Sequence, residues 1–326
     1  MPFGRKKRKA GEDGSTRLFF ATDLHASEMC FRKLMAAGEV YETSTIIMGG
    51  DCTGKQLVCV VMDDDGSGQA VCRWAGQEVQ LRTEAEIAAH EKSIRNAGCY
   101  PIRVSTAQLH EMETNASVAK ERFSASMLAT VGEWVDLAES RLRDKQVHII
   151  MTPGNDDDFG VDEVLRRSDY VDAAEGRLTR IGPHELLSVG WSNPTPWNTP
   201  RECTEEELAS KIEEMAAEIE DMENAIFNIH VPPYATGLDD APKLDEKGVP
   251  SGTESAPVGS TAVREAIAHH QPLLSLHGHI HESRAVQKLG RTMCINPGSV
   301  YGEGMLQGVV VDLEPGKVKR YSLTLG

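Results

Sequence analysis

The chain has 326 residues, 40% of them hydrophobic, with 34 basic and 50 acidic side chains and a formal net charge of −16. That length suits one large α/β or layered β domain as well as two smaller ones, and the apolar fraction is enough for a sizeable core. So acidic a body argues against a general nucleic-acid surface, which needs Lys and Arg against phosphate, and no run approaches the ~18 apolar residues that cross a bilayer.

Arg5-Lys6-Lys7-Arg8-Lys9 is followed by Ala10-Gly11-Glu12-Asp13-Gly14-Ser15. A secretory leader would place an apolar stretch after the charges, so residues 1–15 read as a disordered, solvated basic tail. A tether to RNA, DNA or anionic lipid is the less favoured alternative. Residues 16–326 read as one domain. Arg17–Ala21 is an apolar run ending at Thr22-Asp23, as a buried strand would, and Ser27–Ala37 has the spacing of a helix. Thr45–Met48 is a second buried strand, ending at Gly49-Gly50-Asp51. Residues 55–145 read as a hairpin-plus-helical insertion. Leu57–Met62 and Gln69–Leu81 bracket an acidic turn, Asp63-Asp64-Asp65-Gly66-Ser67-Gly68. That turn lacks the spaced ligands and distal Glu of a calcium-binding loop. Thr83-x-x-Glu86 has the form of a capping box. Leu109, Met112, Ala116, Ala119, Phe123 and Met127, continued by Val131, Val135, Ala138 and Leu142, form one helical apolar stripe.

The same grammar, an apolar strand delivering polar residues into the next loop, returns three times. It appears at Val147–Met151 before Gly154-Asn155-Asp156, at Ala225–Ile229 before His230, and at Leu273–Leu276 before Gly278-His279-Ile280-His281. Between these, Thr204–Met222 reads as an acidic helix with a second capping box, Thr204 and Glu207, and a core-facing seam of Leu208, Ile212, Met215, Ile219 and Met222. Tyr234–Ala262 reads as a long irregular segment of the kind that forms lids. Ile295–Gly298 ends an apolar stretch in a turn, and Gly308–Leu313 and Val318–Leu325 read as final strands. Ligands in α/β sheets bind beyond the carboxyl ends of strands, so the repeated grammar predicts one site.

The side chains at those places are carboxylates, imidazoles and an amide: Asp23, His25, Asp51, Asn155, His230, His279 and His281. The mixture suits Mn²⁺, Fe or Zn²⁺ better than an all-oxygen Mg²⁺ or Ca²⁺ cage or a thiolate zinc site. Two such ions side by side are a device for phosphoryl hydrolysis. Asp23 and His25 are two apart, as are His279 and His281, so in extended backbone each pair would face one ion. Asp51 follows a Gly-Gly pair that leaves room for close backbone approach, and its two oxygens can bridge two ions. Asn155 adds a ligand without adding negative charge. The seven cysteines, Cys30, Cys52, Cys59, Cys72, Cys99, Cys203 and Cys294, are odd in number and form no C-x-x-C pair. They read as reduced thiols of a cytoplasmic protein, with Cys52 a small residue behind the site.

Taken singly, such motifs arise by chance. Their ordered recurrence, from Asp23 to about Ser299, resembles the calcineurin-like metallophosphoesterase superfamily, whose pattern is D-x-H, G-D, G-N-H-[DE], H and G-H-x-H. The resemblance implies an α/β fold, a four-layer α-β-β-α sandwich. It implies a dinuclear centre in which Asp23, His25 and His281 hold one divalent ion, Asn155, His230 and His279 hold the other, and Asp51 bridges. It further implies phosphoester hydrolysis by a hydroxide held between the ions, with no protein nucleophile, so Ser299 reads as a turn residue.

The chain departs from the pattern at Asp156, where the family carries a histidine credited with stabilising the transition state or protonating the leaving group. A carboxylate there repels phosphate unless it is protonated, engaged or turned away. Related subgroups without the histidine act on diesters or good leaving groups, which points to a diesterase. Asp157 matches the acidic residue closing the motif, as an orienting group. The G-D-x-V-D-R-G signature of the phosphoserine/phosphothreonine phosphatases is replaced by Gly50-Asp51-Cys52-Thr53-Gly54-Lys55. Lys55 reads as solvated, with a substrate phosphate as its alternative partner, and Trp191 and Trp197 as either stacking platforms or anchors. The expected protein is a metal-dependent phosphohydrolase of a small-molecule phosphodiester, using two divalent ions, Mn²⁺ before Fe or Zn. A nuclease with the tail as tether and a non-catalytic scaffold are the competing readings.

Overall fold

Apolar runs without polar alternation form strands buried on both faces, and two sheets of this kind organise the chain. The computed structural model describes residues 15–244 and 250–326. The basic run Arg5–Lys9 lies outside the described residues. In chain order the strands are β1 (Thr16–Ala21), β2 (Thr45–Gly49), β3 (Gln56–Met62), β4 (Ala70–Trp74), β5 (Gln77–Leu81), β6 (Cys99–Val104), β7 (His148–Thr152), β8 (Asp172–Ala173) and β9 (Leu178–Ile181). They continue with β10 (His184–Val189), β11 (Ile226–Ile229), β12 (Asp240–Leu244), β13 (Pro250–Pro257), β14 (Leu274–Leu276), β15 (Ala285–Leu289), β16 (Thr292–Asn296), β17 (Gln307–Glu314) and β18 (Lys317–Leu325). The helices are α1 (Glu28–Val40), α2 (Glu84–Asn96), α3 (Thr106–Thr114), α4 (Ala116–Leu142), α5 (Gly160–Leu165), α6 (Glu205–Ala216) and α7 (Thr261–His270).

One six-stranded sheet has the order β18-β17-β1-β2-β7-β8, the other β15-β16-β14-β11-β10-β9. Each has a parallel centre: β1 with β2 and β2 with β7 in the first, β10, β11, β14 and β16 in the second. Side-chain alternation assigns the faces. Leu18, Phe20, Ile47 and Ile150 share one buried cluster with Leu186, Ile226, Leu274 and Ile295 of the second sheet. Phe19, Ala21, Ile46, Met48, Ile149 and Met151 alternate with them and pack on α1 and α4, where the rings of Phe31 and Trp134 stack 4.1 Å apart. The outer face of the second sheet, Leu187, Val189, Phe227 and Ile229, is covered by Leu208, Ile212 and Met215 of α6 and by Val263 and Ile267 of α7. The protein is thus a mixed α/β structure. Among the described residues no helix is long and apolar enough to cross a membrane.

The seam on the acidic helix is core contact, and Thr204 with Glu207 forms the full capping box. That helix stops at Ala216, short of Met222. Beyond it the amides of Glu220 and Asp221 donate to the Glu185 carboxylate, at 2.9 and 3.1 Å, instead of continuing the turn. Four other expectations change. Gln69–Leu81 is two strands, because Ala75 and Gly76 both take positive φ, 51° and 75°, and reverse the chain between β4 and β5. The long apolar stripe is broken at Asn115, whose extended backbone ends α3 while its side chain accepts the Ser117 N–H and starts α4. At the other predicted box Thr83 caps α2, but the Glu86 carboxylate returns to the Arg82 amide, one residue outside. The irregular segment contains a hairpin, β12 with β13.

Between α2 and α3 lies a strand that periodicity does not reveal. β6 pairs parallel with β3, completing a sheet in the order β5-β4-β3-β6. Pro101 interrupts its apolar pattern and is tolerated because β6 is an edge strand. The far half of α4, from Val131 to Leu142, belongs to the core of the first six-stranded sheet.

Just beyond β8 the Glu175 carboxylate accepts the Gly190 N–H at 2.7 Å, and burial holds its proton up to about 7 from an ordinary 4.5. A carboxyl with a raised folded-state pKa contributes its full stability below the unfolded value and loses it as pH rises toward the folded one. Glu175→Gln is therefore expected to flatten the fall in stability between pH 4.5 and 7, gaining on the order of 1–2 kcal/mol relative to the parent at pH 7.5. Urea midpoints of both proteins at the two ends of that range check it, and parallel pH profiles would refute it.

Candidate metal centre

The parallel strands end level. Ala21 pairs with Met48, and Gly49 with Thr152, so the loops after β1, β2 and β7 start side by side. The ladder continues beyond them: Asp23, His25 and Ala26 donate their N–H groups to the carbonyls of Gly50, Asp51 and Cys52 at 3.0, 3.0 and 2.8 Å. On the other sheet the Gly278 N–H reaches the His230 carbonyl at 2.9 Å. Hydrogen-bonded loops of this kind hold side chains as firmly as strands do.

The extended geometry expected of the D-x-H and H-x-H triplets is absent. Asp23, His25, Asp51 and His279 sit at φ 54°, 41°, 48° and 67°. Left-handed backbone costs about 1–2 kcal/mol at a non-glycine residue, and it clusters where a site is held against that cost. Each reversal turns the chain back at the strand end, so the side chains point across the edges of the two sheets. Gly50 makes this close approach feasible: a Cβ there would lie 2.2 Å from His230 Nδ1. Gly154 does the same for Asp51, whose Oδ1 would be 2.2 Å from an added Cβ.

The seven expected ligands converge. Asp23, His25 and His281 present donor atoms that all lie within 4.8 Å of one another, and so do Asp51, His230 and His279. Asp51 faces both groups, with Oδ2 3.6 Å from His25 Nε2 and Oδ1 3.4 Å from His230 Nε2. Asn155 joins the second group through its amide oxygen, 2.7 Å from His279 Nδ1. Asp23, His25, Asp51, Asn155 and His230 are at most 3% exposed. Asp156, His279 and His281 reach solvent in part and mark the mouth.

These side chains fit a pair of divalent cations. His230 Nδ1 faces the Gly49 carbonyl at 3.1 Å, and its buried Nε2 has no hydrogen-bond partner although two carboxylates lie beyond it. His25 Nδ1 likewise faces the Thr53 carbonyl, which leaves its Nε2 3.1 Å from the Nε2 of His281. Two imidazole nitrogens and two carboxylates aimed at one another call for positive charge between them. Burial pushes His25 and His279 down to about 4, toward neutral lone-pair donors. Burial acts the same way on His230, but the charge of Asp51, whose Oδ1 lies 3.4 Å from Nε2, outweighs it and holds His230 up at about 10. Burial would raise Asp23, yet the bond and charge of His281 bring it down to about 2. Cys52 offers no thiolate: its buried thiol points to the Thr152 carbonyl and is pushed well up.

A surrounding ring fixes these groups. Asp157 accepts the N–H of Cys52, Thr53 and Gly154 at 2.9, 2.8 and 2.7 Å and the Thr53 hydroxyl at 2.6 Å, so it ties the Asp51 loop to the Asn155 loop. Asn155 donates through Nδ2 to the Thr199 hydroxyl at 2.9 Å, and that hydroxyl donates to Glu202 at 2.7 Å. The same carboxylate takes the Thr195 hydroxyl, so the Trp-containing loop is tied to the site. Within that loop Trp197 is exposed, whereas Trp191 packs against the core beneath α6, with the Lys211 ammonium 4.3 Å over its ring. Ser299 donates to the Asp23 carbonyl at 2.7 Å, as a turn residue beside the site. Asp156 donates its N–H to Asp51 Oδ1 at 3.0 Å, and its carboxylate pairs with Lys55 Nζ at 2.5 Å. Burial and the charge of Asp51 raise Asp156 to about 7 against that pairing.

Three neighbours carry no sequence signal. Arg201, 2% exposed, donates to the carbonyls of Asp157 and Asp158 at 2.8 and 3.1 Å and pairs with Asp162. Tyr301 lies against His25, ring centroids 4.7 Å apart. His277, beside two expected ligands, points away, with Nδ1 on the Ile229 carbonyl and Nε2 on the Ser275 hydroxyl, both at 2.8 Å. An isolated Arg or Tyr in a loop looks like any solvated residue until the contacts are seen.

The chain shares its fold with solved structures of other proteins. No family model matches it. A protein of Thermus thermophilus superposes on 95% of this chain and 98% of its own length, with 12% identity and a TM-score of 0.53, which shows a shared fold. A dimetal phosphatase of Danio rerio overlaps more loosely, at 10% identity over 95% of each chain and a TM-score of 0.44. An uncharacterized protein of Methanocaldococcus jannaschii is 31% identical over 153 residues, 46% of this chain. That match spans 64% of the relative's length, less than two thirds.

Replacing Arg201 would take from Asp162 the nearer of its two guanidinium partners and leave the buried Asp157 carbonyl without its donor. Arg201→Met is expected to cost about 3–5 kcal/mol of stability, read as a lower urea midpoint. A midpoint equal to the parent's would mean that the guanidinium does not hold the Asn155–Asp158 loop.

Proposed function

We propose that this protein is a dinuclear metal-dependent phosphohydrolase of the calcineurin-like class, acting on a small-molecule phosphodiester. The observation that carries the reading is Asp51, whose two oxygens face two separate sets of nitrogen donors. Asp23, His25 and His281 would hold one divalent cation and Asn155, His230 and His279 the other, with Asp51 shared. Two carboxylates, one amide oxygen and four imidazoles support Mn²⁺ first, with Fe or Zn²⁺ as the other candidates. When bound, such a pair supplies Lewis-acid neutralisation of phosphoryl charge and a more acidic water. None of the seven positions is lost, which supports an enzyme over a scaffold.

The chain's own residues supply the rest. The carbonyls of Gly49 and Thr53 take the Nδ1 protons of His230 and His25, so each Nε2 keeps its lone pair for the centre. Asp157 and Glu202 fix the loops that carry Asp51 and Asn155, and Asn155 presents its oxygen because Thr199 occupies its nitrogen. Asp156 places a carboxylate at the mouth. It opposes a dianionic monoester more than a monoanionic diester, which favours diesters with leaving groups that need no proton. Seven unpaired cysteines are in keeping with a cytoplasmic protein.

Protein loaded with Mn²⁺ is expected to bind two ions per chain and to turn over bis-p-nitrophenyl phosphate. Chelation should abolish turnover and added Mn²⁺ restore it. Two bound ions without any ester turnover would defeat the hydrolase reading. Asp51→Asn is expected to lower turnover more than ~100-fold and to reduce metal content, since even groups that only orient a ligand cost 10–100-fold. Full loading and turnover in that variant would remove Asp51 from the bridging role. Asp156→His is expected to raise the ratio of p-nitrophenyl phosphate to bis-p-nitrophenyl phosphate turnover by about tenfold or more, because a proton donor replaces an anion. An unchanged ratio would strip Asp156 of its part in selectivity.

A further inference from the structure

Lys55 stands where the centre opens. Among the candidate site residues Asp156, His279 and His281 reach solvent, so an entering anion arrives on their side. Lys55 Nζ lies 2.5 Å from Asp156 Oδ2, and that oxygen is 3.9 Å from His25 Nδ1. The ammonium is therefore one carboxylate away from the ligand cluster.

The loop beneath Lys55 is built from two directions. Thr53 gives its N–H and hydroxyl to Asp157 at 2.8 and 2.6 Å. Gly54 gives its N–H to the Tyr100 hydroxyl at 2.7 Å, and Tyr100, on β6 of the insertion, is 2% exposed. A Cβ on Gly54 would lie 2.1 Å from the Gly98 carbonyl, so the two backbones touch. The two residues before Lys55 are thus held by a buried carboxylate and a buried tyrosine, which fixes the point from which the lysine side chain departs. Charge points the same way. Asp156 sets a negative group in front of a site meant for an anion, and Lys55 offsets it.

We infer that Lys55 is a substrate-contacting residue, whose ammonium, aimed by Asp156, donates a hydrogen bond to a non-bridging oxygen of a phosphodiester. No proton or covalent bond changes hands in this contact. The inference rests on the hydrolase reading above and adds the group that selects for a single negative charge. With Asp156 balanced by Lys55, the mouth tolerates a monoanion. With Lys55 removed, an entering phosphate loses its charged hydrogen-bond donor at the mouth, a loss a dianion feels most.

The test uses the full chain loaded with Mn²⁺ and four variants: Lys55→Met, Lys55→Arg, Asp156→Asn and the double Lys55→Met/Asp156→Asn. Metal content, kcat and KM for bis-p-nitrophenyl and p-nitrophenyl phosphate, and calorimetric binding of inorganic phosphate are measured for each. Lys55→Met is expected to raise KM for the diester and Kd for phosphate by about tenfold or more, the size of a lost charged hydrogen bond. It should harm the monoester further still and leave metal content unchanged. Lys55→Arg should recover most of the loss, and removing the Asp156 charge in the Lys55→Met background should recover part of it. Parent-like KM and Kd in Lys55→Met would overturn the inference, as would equal losses in Lys55→Met and Lys55→Arg. Metal loss in Asp156→Asn would overturn it too, since Asp156 would then be a ligand and Lys55 its counterion. If the loaded parent turns over neither ester, the hydrolase reading fails by itself, and the phosphate-binding comparison still decides the role of Lys55.

Discussion

Two carboxylates, Asp23 and Asp51, are buried side by side, and the groups paired with them are histidines rather than Lys or Arg. Removing charge from water is expensive unless an opposite charge comes with it. Imidazoles can answer that charge by taking protons, as His230 and His281 are drawn to do. They can also answer it by lending lone pairs to a cation. The donor set is arranged for the second. Nearly every feature around it serves to hold this costly cluster in place: reversed backbone at four donors, glycines at the points of closest approach, and carbonyls that take the outward ring protons.

The strands and the loops that carry chemistry were legible in the sequence, for a plain reason. A strand buried on both faces is mostly apolar, so β1, β2, β7, β11 and β14 stand out as apolar runs, with Asn228 and Ser275 as interruptions inside, and the polar residues after them mark the sheet edge. The ligand types then follow from position. What the sequence concealed depends on contacts between distant segments or on local geometry. Alternation suggested extended backbone at Asp23 and His25, but the loop after β1 must turn back at once to meet the loop after β2, which puts both residues in the left-handed region. Asn115 looked like one more polar position on a helix until its side chain proved to cap the next one. Pro101 hid β6 because an edge strand can absorb a residue that a central strand cannot.

The positioning ring was the least legible part. Arg201, Glu202 and Tyr100 act on the centre through one intervening group each: the Asp157 and Asp158 carbonyls, Thr199 and Gly54. No spacing rule connects residues 100 and 54, or 201 and 158. Tyr100 also changes how the insertion is understood. Its sheet is not a decoration hung on the fold, because a side chain from its edge strand holds the backbone that carries Lys55.

His25 and His281, whose ring nitrogens meet at 3.1 Å, are 256 positions apart, and the single loop from Gly278 to His281 completes two of the three donor groups formed by these side chains, His25, Asp51 and Asp156 being the third. A nascent chain emerging from the ribosome lacks the two histidine-rich groups until that loop has cleared the exit tunnel and folded back across both sheets. Assembly of the proposed two-ion centre therefore comes late in biogenesis. Such a centre acts on a finished structure and not on its early collapse, and fragments ending before His279 have neither histidine-rich group complete.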